Sequence, residues 1–231
     1  MIEIANFQTI GKRENQEDYF ATIELENGVL ALLADGMGGH ERGEVASKLS
    51  IKSFIECFKS NFKKVNSLEL LKFSLYQANS EVSRYKELNK IDLGTTLIAL
   101  FAKENSFEWV SVGDSLLYLY RDRELLKLNQ KHTLSEELKE FDRELNQDML
   151  TSAIYGEEIS KIDLNQKDFK IDDILILASD GLDSLSESEI VDSLNQKSQL
   201  QNISEDILTK VNQKNYEHQD NSTILMLKKE S

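Results

Sequence analysis

The chain has 231 residues, 40% hydrophobic and 29% charged, with a net charge of −14. That length and balance fit a globular domain with a sizeable core and exclude a disordered chain. No basic stripe is present to bind nucleic acid, and apolar runs such as VLALLA fall far short of the ~20 residues of a membrane helix. The N-terminus lacks a basic start and a long apolar centre, so no signal peptide is expected. Cys57, alone among apolar neighbours, is expected to be a small buried residue in a reducing compartment. Proline is absent and no linker or repeat divides the chain, so residues 1–231 read as one domain.

Strand patterns open at residues 2–10 (IEIANFQTI) and 18–25 (DYFATIEL), and LENGVLALLA turns the second into a hairpin with 29–34. DGMGGHERGE follows and leads into a helix from about Gly43, with Val45, Leu49, Ile55, Phe58 and Phe62 near one face. A second helix carries Leu68, Leu71, Leu75, Ala78, Val82 and Tyr85 at three- and four-residue spacing. Strands return at 95–102, 107–112 and 116–121, and YRDRELLKL reads as a hairpin tip. The highly charged segment 133–150 reads as a short flap with a brief helix. After a strand at 173–179, Ser186 to Glu189 (SESE) is a capping box opening a helix to Leu194. A helix near 203–211 and a strand at 222–227 complete the chain. This order is not strict βαβ alternation; it predicts antiparallel sheets covered by helices on their outer faces, an α+β fold.

Apolar runs repeatedly end on, or begin after, carboxylates: Glu17 and Asp18, Asp35, Asp114, Asp180 and Asp220. Singly, each is an ordinary turn residue. Together in one domain they would repel one another unless a cation sat among them. An oxygen-only donor set without a Cys/His cluster favours Mg²⁺ or Mn²⁺, and the EF-hand spacing of a calcium loop is absent. Gly36 lets the backbone approach an ion closely. The glycine stretch lacks the Gly-Lys-Ser/Thr of a P-loop and the G-x-G-x-x-G order of a dinucleotide site. Arg13 beside a cation cluster makes sense if an anion lies between them, and a guanidinium fork suits phosphate. Metals and an arginine so placed describe hydrolysis of phosphate esters.

RENQED, DGMGGHERGEVAS, LGTTL, VGDS, KHT, LTSAIYG, LASDGL and QDNST, in this order from Gly11 to Met226, resemble the metal-dependent serine/threonine protein phosphatases of type 2C in their short bacterial form. The resemblance implies a four-layer α-β-β-α sandwich, two antiparallel sheets flanked by helix pairs, with a two-metal centre at one end. By position it implies Asp35 bridging both Mg²⁺ or Mn²⁺ ions, and Asp180 and Asp220 completing the first site. Glu17 and the Gly36 carbonyl would complete the second, Asp18 would hold metal-bound water, and Arg13 would hold the substrate phosphate. A metal-bridging hydroxide would attack phosphorus directly. The implied partners are phosphorylated proteins and an opposing serine/threonine kinase, with a monomeric, cytoplasmic enzyme and no nucleic acid or membrane.

Three positions depart from the family pattern. Leu116 replaces the arginine of G-D-S-R, and Ser184 replaces an aspartate that, with Asp114, holds a third ion in bacterial relatives. Met37 stands where animal members carry a histidine, which leaves His40 and His132 as candidates for the leaving-group acid, each with a structural alternative. A pseudophosphatase that binds phosphoproteins without turnover is the alternative reading, and a protein whose divalent ions are purely structural is the second.

Overall fold

The structure is a computed structural model that describes residues 1–37, 42–138 and 149–231. Its strands are β1 (Ile2–Thr9), β2 (Tyr19–Leu25), β3 (Gly28–Ala34), β4 (Leu97–Lys103), β5 (Ser106–Val112), β6 (Leu116–Arg121), β7 (Glu124–Lys127), β8 (Asp163–Asp168), β9 (Ile174–Ala178) and β10 (Ser222–Lys229). Its helices are α1 (Gly43–Asn61), α2 (Ser67–Asn89), α3 (Leu134–Leu138), α4 (Glu187–Leu194) and α5 (Leu200–Lys214). One sheet has the order β1-β10-β9-β6-β7 and the other β2-β3-β4-β5-β8, with every pairing antiparallel. Helices α1 and α2 cover the second sheet, and α4 and α5 the first, giving the expected four layers.

Strands buried on both faces explain the continuous apolar runs. In β3, Val29, Ala31 and Leu33 point between the sheets, whereas Leu30, Leu32 and Ala34 point at α1 and α2. Strand β9 divides in the same way: Leu175 and Leu177 face the other sheet, and Ile174, Ile176 and Ala178 face the helices. Each buried Leu or Ile contributes ~1.5–3 kcal/mol. These layers can therefore carry an unfavourable crowd of carboxylates at one end of the sandwich.

Two strands are short or polar for their position. Strand β7 closes on β6 through Asp122 and Arg123 at φ 54° and 65°, a two-residue turn with both residues left-handed. Strand β8, DLNQKD, has no apolar alternation and was not expected; it is an edge strand held to β5 by its backbone, with four of its six residues exposed. A polar edge discourages pairing with another chain.

The helices follow their signals with one correction. Ser186 and Glu189 form the capping box of α4, and the helix expected near 203–211 runs longer, as α5. On α1, however, the fully buried face is Ala46, Ser47, Ser50, Ile51, Phe54 and Phe58, and Val45, Leu49, Ile55 and Phe62 pack along its flanks. Small residues let this helix sit close to the sheet, so its centre line is marked by size and not by hydropathy. Cys57 falls about 100° round the helix from Phe58 and is partly exposed, not buried. Helix α3 is a described part of the expected flap, of which residues 139–148 lie outside the described residues.

Candidate metal centre and active site

Strand register decides where the acidic turns meet. Tyr19 pairs with Ala34, so Asp18 and Asp35 leave the same end of the β2–β3 hairpin. In the other sheet Ile224 pairs with Ala178, which brings the turns carrying Asp180 and Asp220 together. Asp114 joins from the β5–β6 turn, and Arg13, Asp35, Gly36, Asp114, Asp180 and Asp220 line one cleft of about 680 Å³. A second cleft, of about 750 Å³, lies beside the α4–α5 connection and holds none of these residues.

Each acidic turn is braced by short polar side chains. The Asp35 N–H donates to Thr96 Oγ1 at 3.0 Å, and its carbonyl accepts from Thr95 Oγ1 at 2.7 Å and the Thr96 N–H at 2.9 Å. Asn221 clamps the first turn to the last: its Oδ1 accepts from the Glu17 N–H at 2.8 Å, and its Nδ2 donates to the carbonyls of Ile10 and Asn15. The Glu17 carbonyl accepts from Ser47 Oγ at 2.6 Å and from the Gly36 N–H at 3.2 Å, tying the start of α1 to the same spot. Gly36 and Gly43 lie back to back there; a Cβ on Gly43 would stand 2.9 Å from the Glu17 carboxyl carbon and 3.1 Å from the Gly36 carbonyl carbon. Only glycine leaves the Glu17 carboxylate and the Gly36 backbone so close to one point.

The carboxylates are held against their own repulsion. Burial, then the charges of Asp18, Asp180, Asp114 and Asp220, hold the Asp35 carboxyl well above the usual range. Asp180 is pushed up to about 7 by burial and by Asp114, Asp220 and Asp18, with Lys131 acting in the opposite sense. Burial and Glu44 raise Glu17. Asp18 is 3% exposed and raised mainly by burial; its Oδ2 accepts from the Ser179 and Thr223 hydroxyls, each at 2.7 Å, while its Oδ1 is buried without a partner. Arg13 Nη2 donates to Asp220 Oδ2 at 2.6 Å, the main reason its own pKa is raised. Lys131 is ion-paired with Asp183; burial opposes its charge, but Asp183, Asp114 and Asp180 keep it above the ordinary lysine value.

An oxygen-only donor set, a buried carboxylate oxygen without a partner and a cradle only glycines leave open fit hard divalent cations. Among the described residues no three such side chains are already drawn into a metal-holding set. Asp220 is turned onto Arg13, so its coordination requires that group to turn, whereas Asp18 holds two hydroxyls with Oδ2 and leaves Oδ1 open.

The histidines divide. His132 is 5% exposed, with its pKa lowered chiefly by burial; its Nδ1 accepts from the Gly113 N–H at 3.2 Å and its backbone N–H donates to the Gly113 carbonyl at 2.9 Å. It straps the β5–β6 turn, which is a structural role. His40 lies outside the described residues. Thr95, Thr96, Asn221 and Lys131 were given no role by sequence reasoning, although each stands inside or beside a motif that marked the site.

The chain matches the family model described as Protein phosphatase 2C over residues 8–222. It is 29% identical to the serine/threonine phosphatase stp of Listeria monocytogenes, over 94% of this chain and 92% of that protein. Its fold is similar to that of the S. agalactiae serine/threonine phosphatase, with a TM-score of 0.87 at 26% identity and 100% of both chains covered. It also resembles the catalytic domain of the serine threonine protein phosphatase PstP in complex with two manganese ions, with a TM-score of 0.82 at 27% identity over 98% of this chain and 97% of that one. With nearly the whole fold and every acidic turn inside the matched span, the chain belongs to the protein phosphatase 2C family.

Proposed function

We propose that the chain is a metal-dependent phosphatase of phosphoserine and phosphothreonine in proteins, working as a single domain over residues 1–231 with two Mg²⁺ or Mn²⁺ ions. The observation that carries this reading is the cleft that Asp35, Asp114, Asp180 and Asp220 line beside Arg13, where burial and neighbouring carboxylates raise Asp35 and Asp180. The relative that holds two manganese ions supports it. Asp35 would hold both ions, Asp180 and Asp220 the first, and Glu17 with the Gly36 carbonyl the second, while Asp18 would position water. When bound, the ions supply an activated water and neutralise phosphate charge.

This chain's own residues do the rest. Arg13, paired here with Asp220, would grip the phosphoryl oxygens in bidentate fashion once that carboxylate turned to hold an ion. The departing serine or threonine oxygen must gain a proton, and His40 is the candidate donor. The enzyme opposes a serine/threonine kinase as a cytoplasmic monomer; among the described residues no helix is long and apolar enough to cross a membrane. Nothing in the site favours a phosphoprotein-binding module without turnover.

The test is hydrolysis of p-nitrophenyl phosphate and a phosphothreonine peptide in EDTA, Mg²⁺ or Mn²⁺, by wild type and Asp35→Asn. Turnover that needs metal and is lost in the variant is expected. Full turnover in excess EDTA would falsify the reading.

A further inference from the structure

We propose that the Lys131 ammonium, paired with Asp183, is a built-in cation beside the Asp114 and Asp180 flank of the cleft, and that it limits the centre to two divalent ions. This refines the two-ion reading above and depends on it. Lys131 lies between β7 and α3, with its side chain only 16% exposed and its ammonium paired with Asp183 on the turn Asp180–Ser184. The charges of Asp114 and Asp180 act on the same ammonium. Carboxylates from two separate turns thus share one positive charge that cannot dissociate.

A third divalent ion does not fit this flank. Ser184, where the family pattern calls for a carboxylate, has its hydroxyl committed to the Gly181 carbonyl at 3.0 Å. Leu116, which replaces the arginine of the same pattern, is 1% exposed and packs toward α4 and α5. An ammonium has donors only and cannot ligate a cation. In a partly water-excluded flank it repels a divalent ion strongly. The lysine therefore offsets part of the charge of Asp114 and Asp180 where another ion would otherwise be drawn in, and it does so independently of metal concentration.

The experiment is a Mn²⁺ titration of metal-stripped protein, read as bound ions per chain by calorimetry and native mass spectrometry. Wild type is expected to take two ions, and the folded double variant Lys131→Gln/Ser184→Asp three. Three ions in wild type, or two in the folded double variant, overturn the proposal while leaving two-ion chemistry standing. No bound Mn²⁺ in wild type overturns the two-ion reading itself, and this inference with it. Should the double variant not fold, Lys131→Gln alone is expected to bind its weakest ion about tenfold more tightly, since one repelling charge is gone. Unchanged affinity in that variant overturns the proposal as well.

Discussion

Asp180→Asn should make the metal-free protein more stable, and the pH dependence of the gain identifies its cause. Asp180 titrates at about 7 in the folded chain against an ordinary 3.8. Between those values the folded chain holds a proton that the unfolded chain has lost, so its contribution is fully present below 3.8 and disappears as pH rises through 7. The whole interval is worth ~4 kcal/mol. Because the cleft opens to water, about half of that is expected. For a chain of this size ~2 kcal/mol corresponds to about 4–8 °C in melting temperature. In EDTA at pH 7.5, Asp180→Asn should melt higher than wild type by that amount, with the gap narrowing steadily as pH falls toward 4. Saturating Mn²⁺ should reverse the order, since the ion stabilises only a chain that can bind it. A metal-free variant no more stable than wild type at pH 7.5, or a gap independent of pH, would refute the claim that Asp180 is held against repulsion.

Other perturbations separate structure from site. Arg121 forks onto Asp173, which is 2% exposed, through Nε at 2.8 Å and Nη2 at 2.6 Å. Arg121→Met strands that carboxylate and should cost ~3–5 kcal/mol in urea unfolding, most of it recovered in Arg121→Met/Asp173→Leu; a loss under ~1 kcal/mol would show that the pair is not buried in solution. Gly43→Ala places a methyl against the Glu17 carboxyl. Calorimetry should show Mn²⁺ bound about tenfold more weakly, with the EDTA melting temperature within a few degrees of wild type; unchanged affinity removes Glu17 from the metal set. Arg13→Ala should lower kcat/KM on a phosphothreonine peptide about 100-fold without weakening Mn²⁺ binding, because Asp220 loses its competing partner. A fall in metal affinity instead would make Arg13 a brace and not a phosphate ligand.

Much of the frame was legible because burial and pattern agree. VLALLA and ILILA are apolar on both faces since each lies between a helix layer and the opposite sheet. Strand β8 was illegible because its place is set by backbone pairing with β5, to which Asn165 opposite Trp109 adds no apolar signature. On α1 the expected stripe slid to the flank, since Ala46, Ser47 and Ser50 give the helix its close approach but carry little hydrophobic weight. The acidic turns announced themselves through their position at strand ends, which register then places together. What the sequence hides is the company each carboxylate keeps. Asn221 looks like an ordinary turn residue until it is seen tying Glu17 to Ile10 and Asn15, more than 200 residues away. Lys131, inside the KHT motif, has no role to be read until a turn 52 residues later presents Asp183 to it.

The central claim is that four acidic turns converge on two cations, with Asp35 between them. Crystals grown with Mn²⁺ and measured at the manganese absorption edge address it most directly. Two anomalous peaks roughly 3.5–4 Å apart, flanking Asp35 and within reach of Glu17, Asp180 and Asp220, are the predicted result. No peak in the cleft, or ions held only by residues away from Asp35, would contradict it.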